Sequence, residues 1–214
     1  MKLDGFSILT FDCYGTLIDW ESGLLASLRP LLARHGRDLD DAAILSAFAE
    51  AEASAQAASP GKLYPEILGD ALEALAQRWQ IPLERSERAR FGDSVGDWPA
   101  FADSAEALGY LKRYFRLAIL SNVDRASFAR SNAKLGVEFD HVFTAQDIGS
   151  YKPDLRNFRY LLDRLERDGI RAHQVLHVAQ SLFHDHVPAK QIGLRTVWVN
   201  RRAGRPGSGA TLPA

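Results

Sequence analysis

Cysteine is almost missing from this chain. Cys13 stands alone, so no internal disulfide can form, and no cluster of Cys and His has zinc-site spacing. No charge of one sign dominates either: 26 Lys and Arg face 27 Asp and Glu, for a net charge of -1. That balance removes the electrostatic footprint of a nucleic-acid or anionic-membrane binder and leaves a small molecule as the expected partner. Long apolar runs are absent, and Met1-Lys2-Leu3-Asp4-Gly5 lacks the basic-then-apolar pattern of a secretion signal. The expectation is a cytoplasmic protein without a membrane span. Internal repeats and low-complexity blocks are also lacking, apart from a Gly/Pro/Ala tail over 203–214 that is expected to be flexible.

What is present divides into two kinds of pattern. With 214 residues and 46% hydrophobic content, the chain can form one full domain plus a smaller insertion. A continuously apolar strand is predicted over 7–11. The next stretch is helical throughout: Leu24, Leu28, Leu31 and Leu32, then Ile44, Leu45 and Phe48, then Ile67, Leu68, Ala71, Leu72, Leu75 and Trp79 recur at helical spacing with no strand between them. Ser59-Pro60-Gly61 and Ile81-Pro82 punctuate it, and 92–99 reads as the return linker. The alanines of 47–58 read as a close helix-packing surface. From Ser104 the pattern alternates: helix 104–114, strand 116–120, helix 125–135, strand 141–144, helix 154–168, strand 175–179, helix 184–192 and strand 195–199. Such alternation predicts an α/β fold, a doubly wound parallel sheet with right-handed crossovers. The division expected is a Rossmann-like core of 1–17 and 103–214 and a helical cap of 18–102. Since an open sheet usually finishes on a packed element, a shortened C-terminus is a further expectation.

Polar residues gather where the strands end. Asp12 and Thr16 follow the first strand, Ser121 and Asn122 the second, Lys152 comes shortly after the third, and Gln180, Ser181 and Asp185 follow the fourth. In a parallel α/β sheet the carboxyl ends of the strands form the ligand crevice. Each group alone is an ordinary turn or helix cap, Asp12 included. Together, four segments aim side chains at one place.

These segments resemble the motifs of the haloacid dehalogenase superfamily of aspartate-nucleophile hydrolases across nearly the whole length. Asp12-Cys13-Tyr14-Gly15-Thr16-Leu17 resembles the first motif, Ser121-Asn122 the second, Tyr151-Lys152-Pro153-Asp154 the third, and Ala179-Gln180-Ser181 through Asp185 the fourth. The resemblance implies Asp12 as nucleophile and Asp185 as the group that holds or deprotonates water. It implies Lys152 as the cation that keeps Asp12 ionised, with Ser121, Asn122, Thr16 and backbone N–H groups as donors to the substrate carboxylate and to the oxyanion. Phosphatases of the superfamily carry a second aspartate where this chain has Tyr14, because an alkoxide leaving group needs a proton. A phenol of pKa about 10 supplies none readily at neutral pH, and a halide needs none. Gln180 likewise stands where a magnesium-binding acid is expected. Both features resemble the L-2-haloacid dehalogenase subgroup, which implies hydrolysis of a short (S)-2-haloacid to a 2-hydroxy acid through an aspartyl ester, with no metal or cofactor required.

The alternatives that stay open are a magnesium-dependent phosphatase, cleavage of another carbon–heteroatom bond, and a weakened member acting as a binding protein. Family resemblance also implies a homodimer. Cys13, Tyr14, Gln180, Trp20 and Tyr64 are the candidates for the substrate pocket, with plain packing as the other reading for Cys13 and Trp20. The chain departs from the subgroup in its cap: Ala47-Phe48-Ala49-Glu50-Ala51-Glu52 carries no arginine to grip an anion, and Lys62 or Tyr64 is the expected substitute. Phe158 stands where a tyrosine is expected. His177, His184 and His186 have no metal-site spacing, and Asp19 reads as a helix cap or hinge.

Overall fold

The computed structural model describes residues 3–204 and 209–213. Strand β1 (Ile8–Phe11) is buried along its whole length. Four helices follow with no strand between them: α1 (Trp20–Arg34), α2 (Asp41–Ala58), α3 (Tyr64–Trp79) and α4 (Arg85–Asp93). Asp19 and Asp40 start the first two, each accepting a backbone N–H from the first turn, at 3.2 Å from Ser22 and 2.7 Å from Ala43. The chain then alternates through α5 (Ser104–Leu111), β2 (Arg116–Ser121), α6 (Arg125–Leu135), β3 (His141–Thr144), α7 (Ala145–Ile148), α8 (Leu155–Arg167), β4 (Val175–Ala179), α9 (Val187–Gln191) and β5 (Arg195–Trp198).

The five strands form one parallel sheet in the order β3-β2-β1-β4-β5. The chain leaves β1 toward β2 and β3 on one side, then returns to lay β4 and β5 on the other. The strand order therefore reverses beside β1, and the carboxyl end of β1 opens into the crevice created by that reversal. Alternation along β1 sends Leu9 and Phe11 to one face, where they join a single apolar cluster with Leu24, Phe48, Ile67 and Trp98 of the helical insertion. Ile8 points to the other face and packs with Phe158, Leu161 and Leu165 of α8.

The elements follow the sequence pattern closely, with three informative differences. The expected return linker at 92–99 is largely helical: α4 runs to Asp93 and a tight turn covers Ser94–Asp97. Gly92 is there for packing, since a Cβ at that position would lie 2.5 Å from the Pro65 carbonyl oxygen. The expected helix 184–192 is split into a wide turn over Leu182–His186, where the Val187 N–H reaches the Leu182 carbonyl, and the short α9. Pro188, which cannot donate, follows that widening. The third difference is the tail. Ala210 and Thr211 are buried, and the Ala210 N–H donates to Glu21 at 3.1 Å, so the described part of the tail is packed against the start of α1. The rest of that expectation, at 205–208 and 214, lies outside the described residues. Among the described residues no helix is long and apolar enough to cross a membrane.

Candidate active site

The sheet register decides what surrounds Asp12. Phe11 pairs with Ile119 on one side and Val178 on the other. The next residue, Asp12, therefore emerges level with Leu120 and Ala179, and its N–H still bonds to the Val178 carbonyl at 3.1 Å. Asp12 is 6% exposed. One oxygen, Oδ2, accepts the Thr16 hydroxyl at 2.7 Å, and the same Thr16 oxygen accepts the Gln180 N–H at 2.9 Å, tying the first turn to the end of β4. The other, Oδ1, accepts from Lys152 Nζ at 2.9 Å.

Lys152 is the hub. Its buried ammonium has three acceptors: Asp12 Oδ1, Asp185 Oδ1 at 2.7 Å and the Leu120 carbonyl at 2.9 Å. Three acceptors match the three N–H bonds of an ammonium, so the desolvated charge is fully answered. Asn122 fixes the lysine backbone from the end of β2, its Nδ2 donating to the Lys152 carbonyl at 3.0 Å and its Oδ1 accepting the Lys152 N–H at 2.7 Å.

Behind Asp185 stands His177. Register places Thr10 of β1 opposite His177 of β4, and the Thr10 hydroxyl meets Nδ1 at 2.9 Å. Nε2 of the same ring lies 2.9 Å from Asp185 Oδ1, and the Phe158 ring abuts the imidazole edge-on at 5.2 Å. Asp185 Oδ2 and the hydroxyl of Ser121 are buried, and neither has a hydrogen-bond partner among the described residues. Unanswered buried polar atoms are costly, so both mark places where a water or substrate atom belongs.

The electrostatics follow from burial and these pairs. Burial alone would raise the Asp185 carboxyl, but the Lys152 ammonium and His177 outweigh it and hold the group well below the usual carboxylate range. For Asp12 burial prevails: its carboxyl is raised, with Asp185 adding to the rise and Lys152 and Thr16 only limiting it. Lys152 does favour the ionised form of Asp12, as expected of the cation beside it, but burial first and Asp185 second outweigh that pull. Burial opposes the charge on Lys152 too, yet the two carboxylates raise its pKa overall and keep it an ammonium.

These groups form the floor of a cavity of about 40 Å³ whose other walls come from Tyr14, Trp20 and the helical insertion. Phe48, Glu52 and Gln56 lie four apart along one buried stripe of α2, and the last two line the cavity. Tyr64, at the start of α3, donates its hydroxyl to Glu52 Oε1 at 2.6 Å. Burial pushes the Glu52 carboxyl up to about 7, although the Tyr64 bond works against it. His184, Ser181, Val123 and Thr211 complete the lining, and burial lowers His184 to about 4, so the ring is neutral at pH 7.

Of the residues singled out in the sequence, Asp12, Tyr14, Trp20, Tyr64, Ser121, Asn122, Lys152 and Asp185 meet at this cavity. Thr16 acts from behind, through Asp12. Cys13 and Gln180 are not in the lining. Cys13 is fully buried in the apolar cluster, where burial pushes its thiol well up, and the Gln180 side chain lies over Gly15 beside Trp20. Gly15 needs its lack of a side chain there: its φ is +90°, and a Cβ would sit 3.1 Å from Trp20 Nε1 and 3.3 Å from Gln180 Oε1. The Tyr14 hydroxyl meets that of Ser131 at 2.8 Å, and burial puts its pKa well above the ordinary value. Lys62 is not at the cavity either, since its ammonium pairs with Asp70 on the surface.

Sequence reasoning missed Glu52, Gln56 and Thr211 as pocket residues and His177 as the brace of Asp185. For Glu52 and Gln56 the signal was available, two polar residues continuing the buried stripe of Phe48. His177 interrupts an otherwise apolar strand. Thr211 gave no signal.

The core residues do not fit a divalent cation. The Lys152 ammonium already stands between the two carboxylates, Gln180 is turned to Gly15, and among the described residues no three His, Cys, Asp or Glu side chains gather as a metal-binding set.

The chain is 25% identical over 209 residues to (S)-2-haloacid dehalogenase 4A of Burkholderia cepacia, covering 95% of this chain and 87% of that protein. Its fold is shared with the L-2-haloacid dehalogenase PA0810, with a TM-score of 0.78, 23% identity, and coverage of 97% of this chain and 91% of the other. It is shared as well with the L-2-haloacid dehalogenase from Xanthobacter autotrophicus carrying covalently bound chloropropionic acid, at TM-score 0.73 and 22% identity, covering 92% and 78% of the two chains. The family model for haloacid dehalogenase-like hydrolases matches residues 6–182, most of the length, and the chain belongs to that family of hydrolases.

Proposed function

We propose that this hydrolase removes halide from a short 2-halogenated acyl compound, the class that includes the (S)-2-haloacids, with Asp12 as nucleophile. The observation that carries this reading is a carboxylate held by Lys152 and Thr16 at the floor of a small cavity, next to a Tyr14 whose proton is held too tightly to serve a leaving group. Such a site suits a leaving group that departs as a stable anion. The relatives above, one of them with chloropropionic acid bound covalently, support the same chemistry.

In the first step an oxygen of Asp12 attacks the halogen-bearing carbon from the side opposite the halogen. A C–O bond forms, the C–halogen bond breaks, and its electron pair leaves with the halide. Esterification removes one negative charge from the Lys152 pair, so the ammonium then belongs to Asp185 alone. In the second step water attacks the Asp12 carbonyl carbon while Asp185, whose Oδ2 is open to it, takes the proton. Ser121 and the backbone N–H groups after Asp12 stabilise the oxyanion. Collapse expels the 2-hydroxy product, which takes the proton held by Asp185, and the second proton of the water, left on the Asp12 carboxyl, passes through the freed Asp185 to solvent, so that the Asp12 carboxylate is regenerated. These steps use protein groups and water alone.

The cavity has room for little more than a couple of waters, so admission of substrate requires 18–102 to open as a cap over the core of 1–17 and 103–214. Turnover in heavy-oxygen water tests the mechanism. Halide release from 2-chloropropionyl substrates should proceed with label entering the Asp12 carboxylate before it reaches product, and Asp12→Asn should lower kcat by at least about a thousandfold. Halide release with no label in Asp12 would sink the ester route, and no halide release would sink the reaction.

A further inference from the structure

The wall opposite Asp12 bears on what the rest of the substrate looks like. Among the described lining residues the ionisable acids are Asp12, Asp185 and Glu52, and the cation is Lys152, whose three N–H bonds are already committed. His184 is neutral at pH 7. A substrate carboxylate entering this space brings a further negative charge into a water-poor cavity with no free cation in that lining to receive it. The cap presents instead a carboxyl that accepts the Tyr64 hydroxyl, with the Gln56 amide one helical turn beyond it.

We propose that Glu52 and Gln56 make this pocket selective for an uncharged, hydrogen-bond-donating 2-halo compound, a small 2-haloamide, over the corresponding 2-halocarboxylate. This deepens the reading of Asp12 as a halide-displacing nucleophile and rests on it. The amide N–H groups of such a substrate donate to Glu52 and to the Gln56 carbonyl, while its carbonyl oxygen accepts from Ser121, whose buried hydroxyl has no partner among the described residues. An amide adds no charge to three clustered carboxyls, and it needs no desolvation of a cation. A carboxylate supplies no donor to Glu52 and repels it whenever it is ionised. The small volume restricts the class to compounds of a few heavy atoms.

Binding and turnover separate the inference from the reading beneath it. Affinities of lactamide and lactate, the two product-like ligands, are measured at pH 8 through the fluorescence of Trp20 and by calorimetry, on the wild type and on Glu52→Gln. Gln keeps the volume and can still accept the Tyr64 hydroxyl. The wild type should bind lactamide at least about tenfold more tightly than lactate, and Glu52→Gln should recover at least about fivefold in lactate affinity. Lactate binding as tight as lactamide, failure to bind either, or an unchanged lactate affinity in the variant overturns the inference. The wild-type comparison decides it even where the variant does not fold. Chloride release from 2-chloropropionamide and 2-chloropropionate is followed in parallel: amide preference in binding with no chloride from either compound would leave the selectivity standing and overturn halide displacement.

Discussion

On the sheet side of the cavity the charges answer one another. Lys152 has three acceptors for its three N–H bonds, Thr16 and Lys152 each hold an oxygen of Asp12, and His177 braces Asp185. On the helical side a carboxyl, Glu52, is buried with a phenol as its partner and, among the described residues, no cation paired with it. The first arrangement fixes geometry that a reaction needs, and its burial is compensated. The second leaves a charge poorly compensated, which is tolerated where it discriminates between ligands. Substitution should therefore have opposite effects on the two walls.

The largest effect belongs to Lys152→Met. Removing the ammonium leaves Asp12, Asp185 and the Leu120 carbonyl buried without their shared donor, and the loss should be about 3–5 kcal/mol in urea unfolding at pH 7. A change of less than about 1 kcal/mol would show that the two carboxylates do not depend on the ammonium and would erase the contrast.

Glu52→Gln should do the reverse, in a pH-dependent way. The buried carboxyl titrates near 7 against an ordinary 4.5. As pH rises from about 4.5, the unfolded chain gives up this proton first while the folded protein keeps it until about 7, so stability falls across that window and then levels off, roughly 3 kcal/mol lower. The variant removes the slope. It should match the wild type near pH 5 and exceed it at pH 8 by up to about 3 kcal/mol. The groups facing Glu52 are Tyr64, Tyr14 and Tyr151, with Asp12, Asp185, Lys152 and His184 across the cavity; the phenols are held protonated over this range, so Glu52 dominates the difference. Equal stability differences at pH 5 and pH 8 would mean that Glu52 is solvated after all.

The contrast also explains what the sequence made legible. Strands β1 to β4 end on Phe11, Ser121, Thr144 and Ala179, and the crevice above them is dictated by parallel topology, so polar residues at or just past the end of a buried strand, Asp12 first among them, can be read without a structure. Helical wall residues have no such marker. Glu52 and Gln56 share a stripe with Phe48, and a stripe that begins in the core reads as core until the tilt of α2 over the sheet is known. Alanine at 47 and 49 indeed packs, as the composition implied, while the same helix turns acid and amide toward the cavity. Thr211 reaches the site through a tail whose composition looks unstructured. His177 depends on cross-strand register with Thr10, which pairing alone determines.

The smallest effect concerns the tie between the walls. Tyr151 immediately precedes Lys152 on the core side, and its hydroxyl donates to the Lys62 carbonyl at 2.7 Å in the loop between α2 and α3. A cap that opens must break this bond and hand both groups to water. Net of that exchange, a hydrogen bond favours the closed form by about 1 kcal/mol. Tyr151→Phe keeps the ring's packing and deletes the tie, so the closed population should fall by about fivefold relative to the open one. Lys152 and Asp12 stay in place, so the chemical step is untouched. KM should rise about fivefold while kcat at saturation changes by less than about twofold, in steady-state kinetics of whichever 2-halo compound is turned over. An equal drop in kcat would place Tyr151 with the sheet-side machinery, and an unchanged KM would mean that the two walls do not separate at this bond.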